Sequence, residues 1–209
     1  MHDNTFIRTL NIIADWLIRI VVINVFIIIL SLPIVTFYAG YKAAYSLFVD
    51  YTNDKTTPIF RGFWENLKKD FWHNVGIGGV FLVLIVLGFL GALNYNNLLL
   101  NEPENLFYII GQIITVGVTL LFVLTMLYAV TVSYVISDLS LKNLFKVSLV
   151  LVGKYFLRSL LVIIVTILPI LLFINLTLAP IFVFVGLSIP TIINVLLMKK
   201  PRRFLKGDN

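Results

Sequence analysis

Four long stretches of the chain carry no charged residue: Ile20–Tyr41, Asn74–Asn101, Asn105–Ser137 and Ser159–Met198. A helix rises about 1.5 Å per residue, so the first reaches roughly 33 Å, enough to cross a hydrocarbon core of about 30 Å. In the second, the apolar centre is Val75–Leu93. The third is longer than a span needs and fits a tilted or protruding helix. The fourth would be about 60 Å as one helix, more than any bilayer. Pro180, preceded by Asn175–Ala179, divides it into two helices joined by a tight turn. The pattern predicts an all-α membrane protein with five transmembrane helices. They form a single transmembrane domain over 1–209, with spans at about 20–41, 75–94, 106–136, 159–174 and 181–198.

Charge then orients the bundle, because cytoplasmic loops collect Lys and Arg. The N-terminal tail holds Arg8 and Arg19, offset by Asp3 and Asp15. Lys42–His73 holds five basic residues, Ser137–Arg158 four and the tail Lys199–Asn209 five. The connection Tyr95–Asn105 has none and carries Glu102 and Glu104. Alternate connections thus hold 14 of the 16 basic residues. The expected topology is N-terminus outside and C-terminus cytoplasmic, with a re-entrant first segment as the rival. The net charge of +6 is accounted for by topology, so no nucleic-acid partner is expected. The first apolar run is long enough to span and lacks a strongly basic leader, so no cleavable signal peptide is expected.

Between the first two spans, Phe60, Phe63, Trp64, Leu67 and Phe71 fall within an arc of about 100° at helical periodicity. Arg61, Lys68 and Lys69 lie on the other side, with Glu65. The segment reads as a cytoplasmic amphipathic interfacial helix whose aromatic arc packs on the bundle. Arg61, Lys68 and Lys69 are the candidate partner- or lipid-facing residues. A second such helix is expected where Asp138, Lys142, Lys146, Lys154 and Arg158 recur at multiples of four. Setting Lys69 against Lys154 aligns Phe60-Arg61 with Phe145-Lys146 and Phe71 with Phe156. That alignment is compatible with a parallel duplication and with chance similarity between two basic amphipathic helices.

Candidate chemistry is sparse. The centres of the predicted spans contain no ionisable residue, the usual mark of a proton relay or ion path. Asn24, Asn175 and Asn194 are the candidate polar path, along with Gln112 in the third span. The competing reading of each is an interhelical hydrogen bond that holds the bundle. Gly88, Gly91, Ala92, Gly111 and Thr115 permit close helix contact. Pro33, Pro169 and Pro190 interrupt spans one, four and five. There is no cysteine, and the two histidines, His2 and His73, form no metal-ligand pattern. No Ser-His-Asp set, HExxH run or paired carboxylate lies in a span. The expectation is no catalytic residue, no metal and no cofactor.

Trp16-x-x-Arg19, Asn24, the run Ser31-Leu32-Pro33-Ile34-Val35-Thr36 and Ala43-Ala44 together resemble the opening of the YesL-like family. These are small bacterial integral membrane proteins of unknown function. The aromatic-basic run Phe60–Phe71 fits the same family, although Asp70-Phe71 stands where Asn-Phe is expected. The resemblance implies a companion of carbohydrate-uptake systems in the cytoplasmic membrane, and it carries no site residue. Partners implied are the lipid bilayer and components of a sugar uptake system. The reading is a non-enzymatic accessory or scaffold protein. A small-solute permease is the alternative and a membrane enzyme the third. Neither Lys42–His73 nor Ser137–Arg158 carries the Glu-Ala-Ala…Gly loop by which sugar importer permeases couple to their ATPase.

The cysteine-free chain makes the topology directly testable. Single cysteines at Asn53, Lys142 and Gly207 should be shielded from an impermeant maleimide in intact cells, while one at Asn101 should label. Labelling at Asn53 with protection at Asn101 would invert the orientation. A cysteine at Asn4 separates an outside N-terminus, which labels, from a re-entrant first segment, which does not.

Overall fold

In hydrocarbon, backbone polar groups must be paired within their own segment, and the helix is the form that does so. The computed structural model describes residues 2–174, 177 and 179–207, and their side chains apart from 2–6, 170, 172 and 173. Over those residues it is all-helical, with no strand. In chain order the helices are α1 (His2–Ser31), α2 (Phe37–Tyr51), α3 (Ile59–Lys68), α4 (Phe71–Asn101) and α5 (Leu106–Val135). They continue with α6 (Leu141–Lys154), α7 (Phe156–Ile174), α8 (Ala179–Val185), α9 (Ser188–Leu197) and α10 (Lys199–Lys206).

Three helices are long and apolar enough to cross a membrane: Ile7–Ser31 of α1, α4 and α5. The number rises to five if each of two bent pairs counts as one span. These are α6 with Phe156–Pro169, bent by 102°, and α8 with α9, bent by 53°. In the most apolar window of α1 and of α4 only 17% of residues are buried, so these helices present Leu, Ile, Val and Phe outward. Soluble proteins rarely show so continuous an apolar surface. A bilayer is its natural solvent.

The chain divides into two compact units, Met1–Phe71 with Ile164–Lys199, and Trp72–Ile163 with Lys200–Asn209. In the first unit, α2 packs on α1, α3 and α9, and α1 packs on α8 and α9. Its core is aromatic and small: Tyr38, Tyr45, Phe48 and Phe63 are almost completely buried beside Ala39, Ala43 and Ala44. In the second unit, α6 lies along α5. Phe145 of α6 stacks on Phe81 of α4 at 6.1 Å and meets Phe122 of α5 at 6.3 Å. Tyr128 of α5 is fully buried, and its hydroxyl accepts from Ser159 Oγ at 3.0 Å. The Lys154 ammonium rests 3.1 Å from the Phe204 ring centroid, a cation–π contact between α6 and α10.

The first apolar helix departs from the expected 20–41 span. It begins well before Ile20 and ends at Ser31. Two of the charges it takes in, Asp15 and Arg19, neutralise each other locally. Asp15 pairs with Arg19 at 2.5 Å, and the Arg19 guanidinium lies 4.2 Å from the Tyr51 ring centroid. Pro33 ends the helix: it lacks an N–H and disfavours helical backbone at Leu32, and Ile34 then takes φ +43°. Tyr38–Tyr41 therefore belong to the separate helix α2. The expected 181–198 span is likewise broken, between α8 and α9. Pro169 remains inside α7, which ends at Ile174, and α8 begins at Ala179. Of the expected turn between them, Asn175, Leu176 and Leu178 lie outside the described residues.

α4 and α5 meet through their small residues. A Cβ at Gly88 would lie 2.1 Å from Thr119 Oγ1, one at Gly91 3.0 Å from Thr115 Cγ2, and one at Gly111 2.5 Å from the Tyr95 ring. Thr115 and Thr119 donate to the carbonyls of Gly111 and Thr115, each at 2.7 Å, so their hydroxyls are satisfied within α5. Gly88→Ala should push Thr119 off its carbonyl and lower stability by about 1–3 kcal/mol. Gly79, with nothing within 4 Å of its would-be Cβ, is the control. Gly79→Ala should be neutral or up to about 1 kcal/mol stabilising, from helix propensity alone. Thermal unfolding of the two variants in detergent tests this, and equal effects would mean α4 and α5 do not pack at Gly88.

Candidate functional site

Among the described residues, the densest buried polar arrangement surrounds the α8–α9 break. Pro190 sits in the first turn of α9, where its ring would clash with the carbonyl four residues earlier, that of Gly186, if the helix ran on. The chain breaks there, at Gly186–Leu187. Close approach to Phe182 leaves no room for a side chain at Gly186, since a Cβ would fall 2.7 Å from the Phe182 carbonyl oxygen. The break costs the rung in which the Leu187 N–H would donate to the Val183 carbonyl.

Asn24 of α1 supplies that rung from outside. Its Oδ1 accepts from the Leu187 N–H at 2.7 Å and the Ser188 N–H at 2.8 Å. Its Nδ2 donates to the Val183 carbonyl at 2.6 Å and the Phe182 carbonyl at 3.0 Å. An asparagine amide has two donor hydrogens and two acceptor lone pairs, and all four are used. The side chain is completely buried. Asn24 is therefore a bridge between α1 and both halves of the broken helix, with no polar group left for a passing solute.

Asn194 lies further along α9 and is also buried. Its Nδ2 donates to the Tyr41 hydroxyl at 2.9 Å, tying α9 to α2. Its Oδ1 has no hydrogen-bond partner among the described residues. Thr191, on the same helix, donates to the Leu187 carbonyl at 2.6 Å. Asn24 thus reaches the broken helix from α1, and Asn194 reaches from it to α2. Asn175, the third residue of the candidate path, lies outside the described residues.

The basic residues of α3 are arranged differently from the single helix expected over Phe60–Phe71. α3 ends at Lys68, the chain turns at Lys69 and at Asp70, whose φ is +56°, and Phe71 opens α4. Phe63 and Leu67 are buried, with Phe63 4.8 Å from the Phe26 ring of α1. Phe60 and Trp64, from the same apolar arc, are 63% and 50% exposed. Only part of the arc therefore packs within the protein. Arg61 and Lys68 are exposed seven residues apart, near one side of the helix and about 10 Å along it. Lys69 is the C-cap and leaves the helical line. Arg61 donates through Nε to Glu65 at 2.7 Å, which raises its pKa above the usual arginine value. Lys42, on α2, is shifted the other way: burial lowers its pKa, against the attraction of Asp70.

A hollow of about 500 Å³ opens beside this helix, lined by Asp54, Lys55, Thr57, Arg61 and Glu65 among others. Lys55 is paired with Asp50 at 2.7 Å and Arg61 with Glu65, so the hollow has no strong excess of one sign. Among the described residues no group of three or more His, Asp or Glu is placed to hold a metal ion. The parts played by Gly186 and Tyr41 were not evident from residue type, whereas Pro190 was legible as an interruption of the last span. A strongly polar residue in an apolar run, with a proline-broken helix elsewhere, is the signal that pairs them.

Residues 20–94 match the model of one protein family, described as a protein of unknown function, DUF624. The YesL-like proteins are in this family, which bears out the resemblance. The matched stretch contains Asn24, the Ser31–Thr36 run, Ala43-Ala44 and Phe60–Phe71, and leaves Trp16 and Arg19 outside. No curated protein and no solved structure matches the chain.

Asn24→Leu should remove all four bonds and leave the Leu187 and Ser188 N–H groups and the Val183 carbonyl to re-pair in an apolar setting, while the Phe182 carbonyl keeps the Gly186 N–H. Side-chain hydrogen bonds within membranes average about 0.6 kcal/mol each, so a loss of roughly 2–3 kcal/mol is expected. Asn194→Leu removes one bond and should cost less. Unfolding in a mild detergent series ranks the two, and an Asn24→Leu protein as stable as wild type would exclude the bridge as a structural element.

Proposed function

We propose that this protein is a non-enzymatic accessory or scaffold protein of the bacterial cytoplasmic membrane, serving carbohydrate uptake. Its N-terminus is outside and its C-terminus cytoplasmic, as the placement of 14 of the 16 basic residues favours. On this reading α3 and α6 lie at the cytoplasmic interface, and Arg61, Lys68 and Lys69 face a cytoplasmic partner or anionic headgroups. The link to carbohydrate uptake comes from the YesL-like resemblance.

The observation that carries the scaffold reading is the saturation of Asn24. A permease path through the first unit would need polar groups free to exchange with a solute. Asn24 is committed to Phe182, Val183, Leu187 and Ser188, and the Asn194 amide nitrogen to Tyr41, which leaves the Asn194 Oδ1 as the one atom of the two side-chain amides without a hydrogen-bond partner among the described residues. Discontinuous helices in transporters aim their ends at substrate, whereas here a side chain of the same protein occupies that place. A static bridge suits a protein whose task is to hold other components.

Two measurements test this. Proteoliposomes containing only this protein should show no flux of sugars or other small solutes, and measurable flux would establish the permease instead. Purification after mild detergent extraction should recover a sugar-importer subunit in stoichiometric amount. Neutralising Arg61, Lys68 and Lys69 together should leave the membrane level of the protein unchanged, because exposed ion pairs contribute little. Recovery of the partner should fall in a salt-sensitive way, at about 1 kcal/mol per basic residue near an anionic surface. Full recovery at low salt would remove α3 from the docking role.

A further inference from the structure

The second unit holds a feature that the scaffold reading does not use. A groove of about 480 Å³ lies between α4 and α6, walled by Val80 and Phe81 on one side and Leu141, Phe145 and Leu149 on the other. Its floor is firm, since Phe81 is 1% exposed and stacks on Phe145 at 6.1 Å. Leu141, Phe145 and Leu149 form an i, i+4, i+8 stripe on α6, and Lys142 and Lys146 form a second stripe one residue further round. Both lysines line the groove and are exposed. Among the described residues neither makes a salt bridge, whereas Lys154 of the same helix is taken up by Phe204.

We propose that this groove holds one acyl chain of an anionic phospholipid, with the phosphate between Lys142 and Lys146. Charge complementarity selects the sign of the headgroup. The shape of the α4 surface selects a lipid over a peptide. From Val80 an exposed apolar row continues along α4 through Val83, Leu87 and Leu90, which are 57%, 61% and 55% exposed. Spaced at i, i+3, i+7 and i+10, these residues share one face and extend about 15 Å, a track for a hydrocarbon chain. An acidic peptide would meet the two lysines and leave that row bare.

The inference rests on the membrane reading but not on the scaffold role, and its failure would leave the flux and partner-recovery results unaffected. The test uses full-length protein in a mild non-ionic detergent, titrated with phosphatidylglycerol or with phosphatidylcholine of the same chains, and bound lipid counted by native mass spectrometry. One phosphatidylglycerol per protein should be held in preference to phosphatidylcholine. Lys142→Gln with Lys146→Gln should weaken phosphatidylglycerol binding roughly 10- to 30-fold and leave phosphatidylcholine unchanged. Leu149→Trp, which fills the groove from a partly exposed position, should weaken both lipids. If that variant fails to fold, Val80→Trp replaces it from the α4 wall. Lys199→Gln on α10, an exposed lysine that does not line the groove, should have no effect. Wild-type affinity in the double-lysine variant overturns the proposal. So does equal competition by glycerol phosphate, which would make this an anion site with no role for the groove.

Discussion

Satisfying the backbone of a broken helix inside an apolar environment is the constraint on which the first unit depends. A carbonyl or N–H left unpaired in hydrocarbon costs several kcal/mol, so a break is tolerated only where something replaces the missing rung. Pro190 and Gly186 make the break between α8 and α9, and the amide of Asn24 fills it, accepting from one side and donating to the other. The same bonds fix the position of α1 against both halves of the broken helix. The Asn194–Tyr41 bond holds α9 to α2, so four helices, α1, α2, α8 and α9, are located by two asparagines.

In the second unit packing is governed by size. Hydrocarbon gives helices no hydrophobic reason to associate, and what remains is close contact between small residues. Gly88, Gly91 and Gly111 provide it, with threonine hydroxyls returned to their own helix so that no polar group is stranded. α6 is built on a different principle: Phe145 inserts between Phe81 and Phe122, and the lysines stay on the open side. A helix with an apolar stripe against its neighbour and a basic stripe beside it suits a boundary between hydrocarbon and water.

The all-helical, membrane-directed character was legible because it follows from long charge-free runs, which leave no other way to satisfy the backbone. So was the likeness to a family over residues 20–94, the stretch that contains Asn24, Ser31–Thr36 and Phe60–Phe71. Element boundaries were less so. Arg19 and Asp15 read as the end of a span, yet α1 runs through them, because a local ion pair and the Tyr51 ring neutralise the charge. Phe71 and Trp72 belong to α4, since the turn at Lys69–Asp70 ends α3 between residues that the helical period had joined. Trp64 fitted the buried arc by angle but is half exposed, whereas Phe63 and Leu67 are buried and Phe60, though exposed, still meets the Phe26 ring of α1.

By itself the sequence determined the solvent the chain suits, the secondary structure it adopts there and the short list of polar residues that apolar surroundings would not leave idle. Those properties depend on composition and spacing, which act within one helix. Only the tertiary structure decided what the polar residues do. Asn24 lies 158 residues from Phe182, and nothing in either neighbourhood specifies the other. Its role as a bridge arises because α1 passes the α8–α9 break at hydrogen-bonding distance, a coincidence of packing that no local periodicity encodes.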